Sequence, residues 1–183
     1  MNHTVFASMD KSIYLLGLFF ILLVVYPLIF KKTRHQKKRI AADKIIETVS
    51  NIEHPGQKIA YLRKVDPYAF EELILTLLQR KGFVIARNKK YSGDGGIDGR
   101  FEHNKEIWFI QAKRYSNRIK LEHVNAFAQV LRENKCHGIF VHTGTTPSSI
   151  LDAARATGSK NRIEIISGGR LLDLFDTTKK GQF

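Results

Sequence analysis

The longest apolar run in the chain, Ile13 to Phe30, carries no charged residue, whereas everything after it falls into shorter helical and alternating patterns. As a helix, about 18 residues at roughly 1.5 Å each reach about 27 Å, enough to cross a hydrocarbon core. Tyr14 and Tyr26 lie near its ends, where amphipathic rings favour the interface, and Pro27 falls in the last turn, where it does least damage to a helix. A cleaved leader needs positive charge before the run and small residues after it. Here Asp10 offsets Lys11, and the far side is the basic block Lys31 to Arg39. The expectation is therefore a retained single-pass anchor, residues 13–30, with a short outer tail, 1–12, and a cytoplasmic remainder. Ile40, Ala41, Ile45, Ile46 and Val49 then recur at near-helical spacing. They predict a short amphipathic connector, broken by His54-Pro55-Gly56 and completing a juxtamembrane segment over 31–60.

From residue 61 the periods change repeatedly. Asp66-Pro67 reads as a helix start, with Phe70, Leu73, Ile74, Leu77 and Leu78 as its apolar stripe and Gly82 as its end. Phe83 to Ala86 predicts a short strand. The glycine-rich turn Tyr91 to Gly99 leads into another over Ile97–Glu102, and His103-Asn104-Lys105 reads as a hairpin loop. A long strand follows over Glu106–Arg114, then a helix from about Leu121 to Glu133 on Val124, Phe127, Ala128 and Leu131. The strand Gly138–Val141, a helix opened by Thr145-Thr146-Pro147, the strand Ile163–Ile166 and a last helix over Arg170–Asp176 complete the order. A hairpin followed by strand–helix–strand crossovers predicts an α/β fold, a mixed sheet with helices on both faces.

The formal net charge of +13 suggests a polyanionic partner, either nucleic acid or anionic lipid. About six of those positives sit in the Lys31–Arg39 block, which topology and headgroup contact already explain. Charge alone therefore does not separate DNA from membrane. Cys136 is the single cysteine, which excludes an internal disulfide framework, a thiolate zinc ribbon and a CxxC redox pair.

The chemistry concentrates in the strand Glu106–Arg114. Its first half is continuously apolar, as in a strand covered on both faces, and then Gln111 and Lys113 appear two apart on one face. A lysine at the end of a buried strand needs a partner or a task. Asp98 lies about a dozen residues earlier in the glycine-rich turn, and hairpin pairing brings it beside Gln111 and Lys113. An acid, then an acid or amide, then lysine two residues on is the layout of a Mg²⁺ nuclease site. Asp98, the Gln111 amide oxygen and the Ala112 main-chain carbonyl offer the hard oxygen ligands that Mg²⁺ prefers. Lys113 can orient water or stabilise developing charge.

The surroundings sharpen that weak spacing. Ser92 to Gly99 (SGDGGIDG) followed by Ile110 to Tyr115 (IQAKRY) resembles the signature of the Mrr-type restriction endonucleases, within the PD-(D/E)xK nuclease superfamily. Phe70 to Leu73 (FEEL), Arg80 to Val84 (RKGFV), Gly138 to Gly144 (GIFVHTG) and Ile166 to Leu172 (ISGGRLL) resemble further blocks of that family, from about Asp66 to Phe175. The resemblance implies a restriction-endonuclease-like domain over 61–183 that hydrolyses DNA phosphodiesters with Mg²⁺. It assigns Glu71 as the helix carboxylate near the metal, Asp98 as the principal ligand, and Gln111 and Lys113 as the QxK pair. Glutamine in place of glutamate leaves the site one negative charge poorer. The chain departs from the common family pattern at Ala112 and Gly169, neither of which must supply a side chain to the site. Glu72 competes with Glu71; one is expected to face the sheet and the other solvent.

Weaker candidates surround this set. Asp94 either caps the glycine turn or touches metal or DNA. Arg114, Arg118 and Lys120 follow the QxK strand and are candidate phosphate contacts. His142, before Thr143-Gly144-Thr145, is a possible site residue. No calcium loop, phosphate loop or HExxH spacing is present. The expectation is a membrane-anchored, metal-dependent DNA endonuclease, with a homodimer as one route to cutting both strands. The competing readings are a catalytically silent, membrane-tethered nucleic-acid-binding module, a lipid-facing anchor protein and a junction-resolvase-like nuclease.

Overall fold

The computed structural model describes residues 15–21, 34–88, 96–156 and 161–183. Residues Met1–Lys37 and Lys38–Phe183 form separate units. In the first, 15–21 is helical, and Leu15, Leu16, Leu18, Phe19, Phe20 and Ile21 are exposed. The rest of the expected span, like Asp94, lies outside the described residues. Among the described residues, no helix is long and apolar enough to cross a membrane.

Helix α1 (Arg34–Asn51) carries the stripe expected of a connector, but Ala42, Ile45 and Val49 are buried in a core cluster of the second unit. His54-Pro55-Gly56 interrupts the helical path and also begins a new element, α2 (Pro55–Leu62). Pro55 occupies the first helical position, where its missing N–H costs nothing. In α3 (Pro67–Arg80) the Asp66 carboxylate accepts the Ala69 N–H at 2.9 Å, capping the helix as its sequence predicts. Phe70, Leu73, Ile74, Leu77 and Leu78 are all buried, each contributing about 1.5–3 kcal/mol of transfer free energy. Beyond the end of α3, Gly82 takes φ +97°, a conformation that side chains disfavour.

The expected strand Phe83–Ala86 shrinks to β1 (Ala86–Arg87). Phe83 spends its ring on Phe101 and Phe183, at centroid distances of 4.8 and 5.5 Å, so packing overrides the β-pattern of this segment. Strands β2 (Gly99–His103) and β3 (Glu106–Lys113) form a hairpin with Gly99 opposite Ile110 and His103 opposite Glu106. Its loop is Asn104-Lys105 alone, at φ 53° and 64°. Two successive positive φ values are those of a type I′ turn, whose twist suits a hairpin; His103 therefore belongs to the strand rather than to the loop.

Helix α4 (Leu121–Asn134), β4 (His137–His142), α5 (Ser148–Arg155), β5 (Ile163–Ile166) and α6 (Gly168–Asp173) follow. The last helix begins and ends earlier than its sequence suggests. The sheet order is β1-β2-β3-β4-β5, antiparallel through β3 and parallel from β3 to β5. Trp108, Ile110 and Ala112 join Phe101 and the stripes of α1 and α3 in one core. Phe127, Leu131, Phe140, Ile150, Ile163 and Ile165 form the other, with Phe109 against it. The sheet is thus mixed and covered on both faces, as the pattern predicts, and β4, between β3 and β5, is buried along its whole length.

Candidate active site

The β2–β3 register decides where Asp98 lies. With Gly99 opposite Ile110, Asp98 is the first residue before the paired strand, and its N–H donates to the Ile110 carbonyl at 2.8 Å. Its side chain reaches along β3, where one carboxylate oxygen accepts the Ala112 N–H at 2.7 Å. Asp98 and the QxK strand are therefore pinned by backbone, and the expected juxtaposition of Asp98 with Gln111 and Lys113 is present. Ala112 enters the site through this N–H.

Gln111 is buried, and its Nε2 donates to the Gly96 carbonyl at 2.9 Å. That bond engages the donor end of the amide and leaves the oxygen as its acceptor end. Gly96 has φ +80°, and a Cβ there would run into the Gln111 amide with the Lys113 ammonium at 3.8 Å. Only glycine suits this position twice over, by dihedral and by space.

Glu71 approaches from α3 and is half-buried. Burial raises its pKa above the ordinary carboxylate value, opposed by the charges of Lys113 and Lys38 and reinforced by Asp66. Asp98 is pushed up to about 7, first by burial and then by the negative charge of Glu71, while the Ala112 N–H and Lys113 pull it back. The two carboxylates thus belong to one electrostatic centre, with Lys113 between their influences. Among the described residues, no three His, Cys, Asp or Glu side chains gather as a metal cluster. The donor set here is two carboxylates and an amide.

Glu72 does not face solvent. It is 4% exposed and its carboxylate meets the Arg87 guanidinium at 2.7 Å. Strand β1, which carries Arg87, brings this partner into place, which a helix-face argument confined to α3 could not anticipate. Glu71 remains the carboxylate coupled to Asp98.

The flanking candidates divide. Arg114 turns inward and donates to the Arg63 carbonyl at 2.5 Å, while Arg63 donates to the Thr143 carbonyl at 2.9 Å; together they tie the α2–α3 junction to the ends of β3 and β4. Arg118 and Lys120 are exposed, and Lys120 pairs with Glu122 at 3.2 Å. His142 is fully buried and stands in register with Lys113 across the β3–β4 pair. One ring nitrogen meets the Thr146 hydroxyl at 2.9 Å, and that hydroxyl meets Ser167 at 2.8 Å. Burial, followed by the neighbouring His123, lowers the His142 pKa to about 4, so it is neutral near pH 7 and acts as a packed polar link.

A hairpin-led mixed sheet thus brings two coupled carboxylates and a strand-end lysine to one place. The restriction endonuclease family model of the Mrr catalytic type matches residues 62–175, and the chain belongs to that family, whose activity class is that of a restriction-type nuclease. No curated protein and no solved structure matches the chain.

Proposed function

We propose that the protein is a divalent-metal-dependent endonuclease that hydrolyses DNA phosphodiesters at the Glu71–Asp98–Gln111–Lys113 centre. The observation that carries this reading is Asp98 itself: held by the Ala112 N–H at 2.7 Å and raised to about 7 by burial and by Glu71. A site that crowds two carboxylates in this way disfavours its own charge and gains when a cation arrives. The available donors, carboxylate oxygens of Asp98 and Glu71, the amide oxygen of Gln111 and the Ala112 main-chain carbonyl, are hard and suit Mg²⁺. A bound Mg²⁺ supplies Lewis acidity at the scissile phosphate and lowers the pKa of the attacking water.

The chain's own residues do the rest. Asp98 stays fixed because its partner is backbone, so the donor geometry is formed before substrate arrives. The Gly96 carbonyl orients the Gln111 amide. Lys113, on the same face as Gln111, places its ammonium where negative charge grows on the phosphoryl oxygens. Arg118 and Lys120, exposed just beyond β3, supply positive charge for flanking phosphates.

The uncharged run 13–30 and the basic residues after it support a single-pass anchor with the nuclease domain on the cytoplasmic side. Two copies acting together would cut both strands. The test is plasmid nicking by the full chain in mild detergent, with Mg²⁺ or EDTA. Metal-dependent conversion of supercoiled plasmid to nicked or linear forms supports the reading. Retention of DNA on a gel without cutting in any divalent metal would instead favour the silent binding module.

A further inference from the structure

Tyr68 stands one turn before Glu71 on α3, and residues three apart on a helix are surface neighbours. Over the face of Tyr68 lies the ammonium of Lys38, 3.8 Å from the ring centroid, with its nitrogen buried. Lys38 comes from α1, outside the family-matched residues 62–175, and belongs to the basic block whose charge topology alone would explain. The helix that carries it is anchored. Ala42, Ile45 and Val49 are buried in the core, and Asp43 meets Arg80 at 2.8 Å. The Lys38 charge therefore has a fixed address, and its field reaches Glu71.

We propose that Lys38 is a positioning residue of the nuclease site: a fixed positive charge, delivered by α1 and clamped on Tyr68, that stands beside Glu71 and opposes entry of a divalent cation, so that docking of α1 sets the metal affinity. The inference rests on the reading of Glu71 and Asp98 as the cation-binding carboxylates. A buried ammonium needs compensation, and the Tyr68 ring quadrupole supplies part of it, while the Lys38 charge in turn acts on Glu71. Lys113 is the other cation acting on Glu71, and Asp66 the acid. Removing the Lys38 charge leaves the carboxylates with one ammonium instead of two. The local field becomes more negative, and a divalent cation binds more tightly. A purely structural role predicts the reverse, because a loosened α3 spreads the donors apart.

Calorimetric titration of Mg²⁺ into the metal-free full chain separates these outcomes. Lys38→Gln is expected to bind Mg²⁺ roughly tenfold more tightly than wild type. Lys38→Arg keeps both the charge and the stacking on the ring and is expected to match wild type. Tyr68→Leu removes the clamp while leaving α1 its own core contacts, and is expected to shift affinity in the same direction as Lys38→Gln; it decides the matter if Lys38→Gln does not fold. Unchanged or weaker Mg²⁺ binding in the neutral and clamp variants, beside a wild type that binds, overturns the inference and leaves the two-carboxylate reading standing. A wild type that takes up no Mg²⁺ overturns both.

Discussion

Replacing Asp98 by Asn removes one charge and keeps the shape of the side chain, including an oxygen able to accept the Ala112 N–H. In the wild type the carboxyl is raised from 3.8 to about 7, a gap worth about 4 kcal/mol between the two protonation states. Because the folded value lies above the unfolded one, its contribution to stability is complete below pH 3.8 and is lost as pH rises through about 7. Asp98 therefore costs the metal-free protein stability at pH 8, and Asn does not. Water at the exposed edge of this half-buried site screens part of the effect, so a gain of about 2 kcal/mol is expected for Asp98→Asn at pH 8. At pH 4, with the folded carboxyl neutral and its unfolded counterpart only partly ionised, most of the difference should be gone. His142 has the opposite dependence: its folded value of about 4 lies below 6.5, so stability is lost as pH falls from 6.5 through 4. That term is common to both proteins and cancels in the difference. The assay is urea denaturation of both full chains in EDTA at pH 4, 6 and 8. Added Mg²⁺ should stabilise the wild type selectively and narrow the gap at pH 8. An Asp98→Asn chain no more stable than wild type at pH 8 would refute the claim that this carboxylate is crowded and waiting for a cation.

Other perturbations test separate parts of the account. Glu72→Ala strands the Arg87 guanidinium, whose partner lies at 2.7 Å, and should lower unfolding free energy by about 3 kcal/mol in a denaturant titration. Gly96→Ala places a Cβ against the Gln111 amide at φ +80°; a loss of at least about tenfold in plasmid cutting is expected, with a stability change near 1 kcal/mol. Arg118→Ala and Lys120→Ala together should weaken DNA binding in calcium and flatten its salt dependence by up to about two phosphate contacts, measured by fluorescence anisotropy. An unchanged salt slope would remove these residues from the interface.

Local chemistry made much of this molecule legible. The stripe of α3, its Asp66 cap and the switch from apolar run to Gln111 and Lys113 in β3 depend on neighbours a few residues away, and each appears where its pattern places it. The approach of Asp98 to β3 was readable because a hairpin fixes its partner by register. What stayed hidden depends on distant chain. The segment Phe83–Ile85 forgoes strand pairing because Phe83 meets Phe183, about a hundred residues away. Glu72 is buried against Arg87 on β1, and the Thr76 hydroxyl of its own helix reaches it only at 3.5 Å. Lys38 was obscured by its eight neighbours in the basic block, since a lysine run looks the same whether one member points to solvent or rests on Tyr68. The Pro55 helix start was masked by the same residues that end α1.

The central claim is that Asp98 and Lys113 perform metal-dependent chemistry on DNA and do not merely bind it. The most direct measurement is single-turnover cutting of plasmid by wild type, Asp98→Ala and Lys113→Ala, each at a concentration that saturates the DNA in calcium. The account predicts Mg²⁺-dependent cutting by wild type and a fall of at least about a hundredfold in both variants, with binding retained. Cutting that survives either substitution, or that proceeds in EDTA, would contradict it.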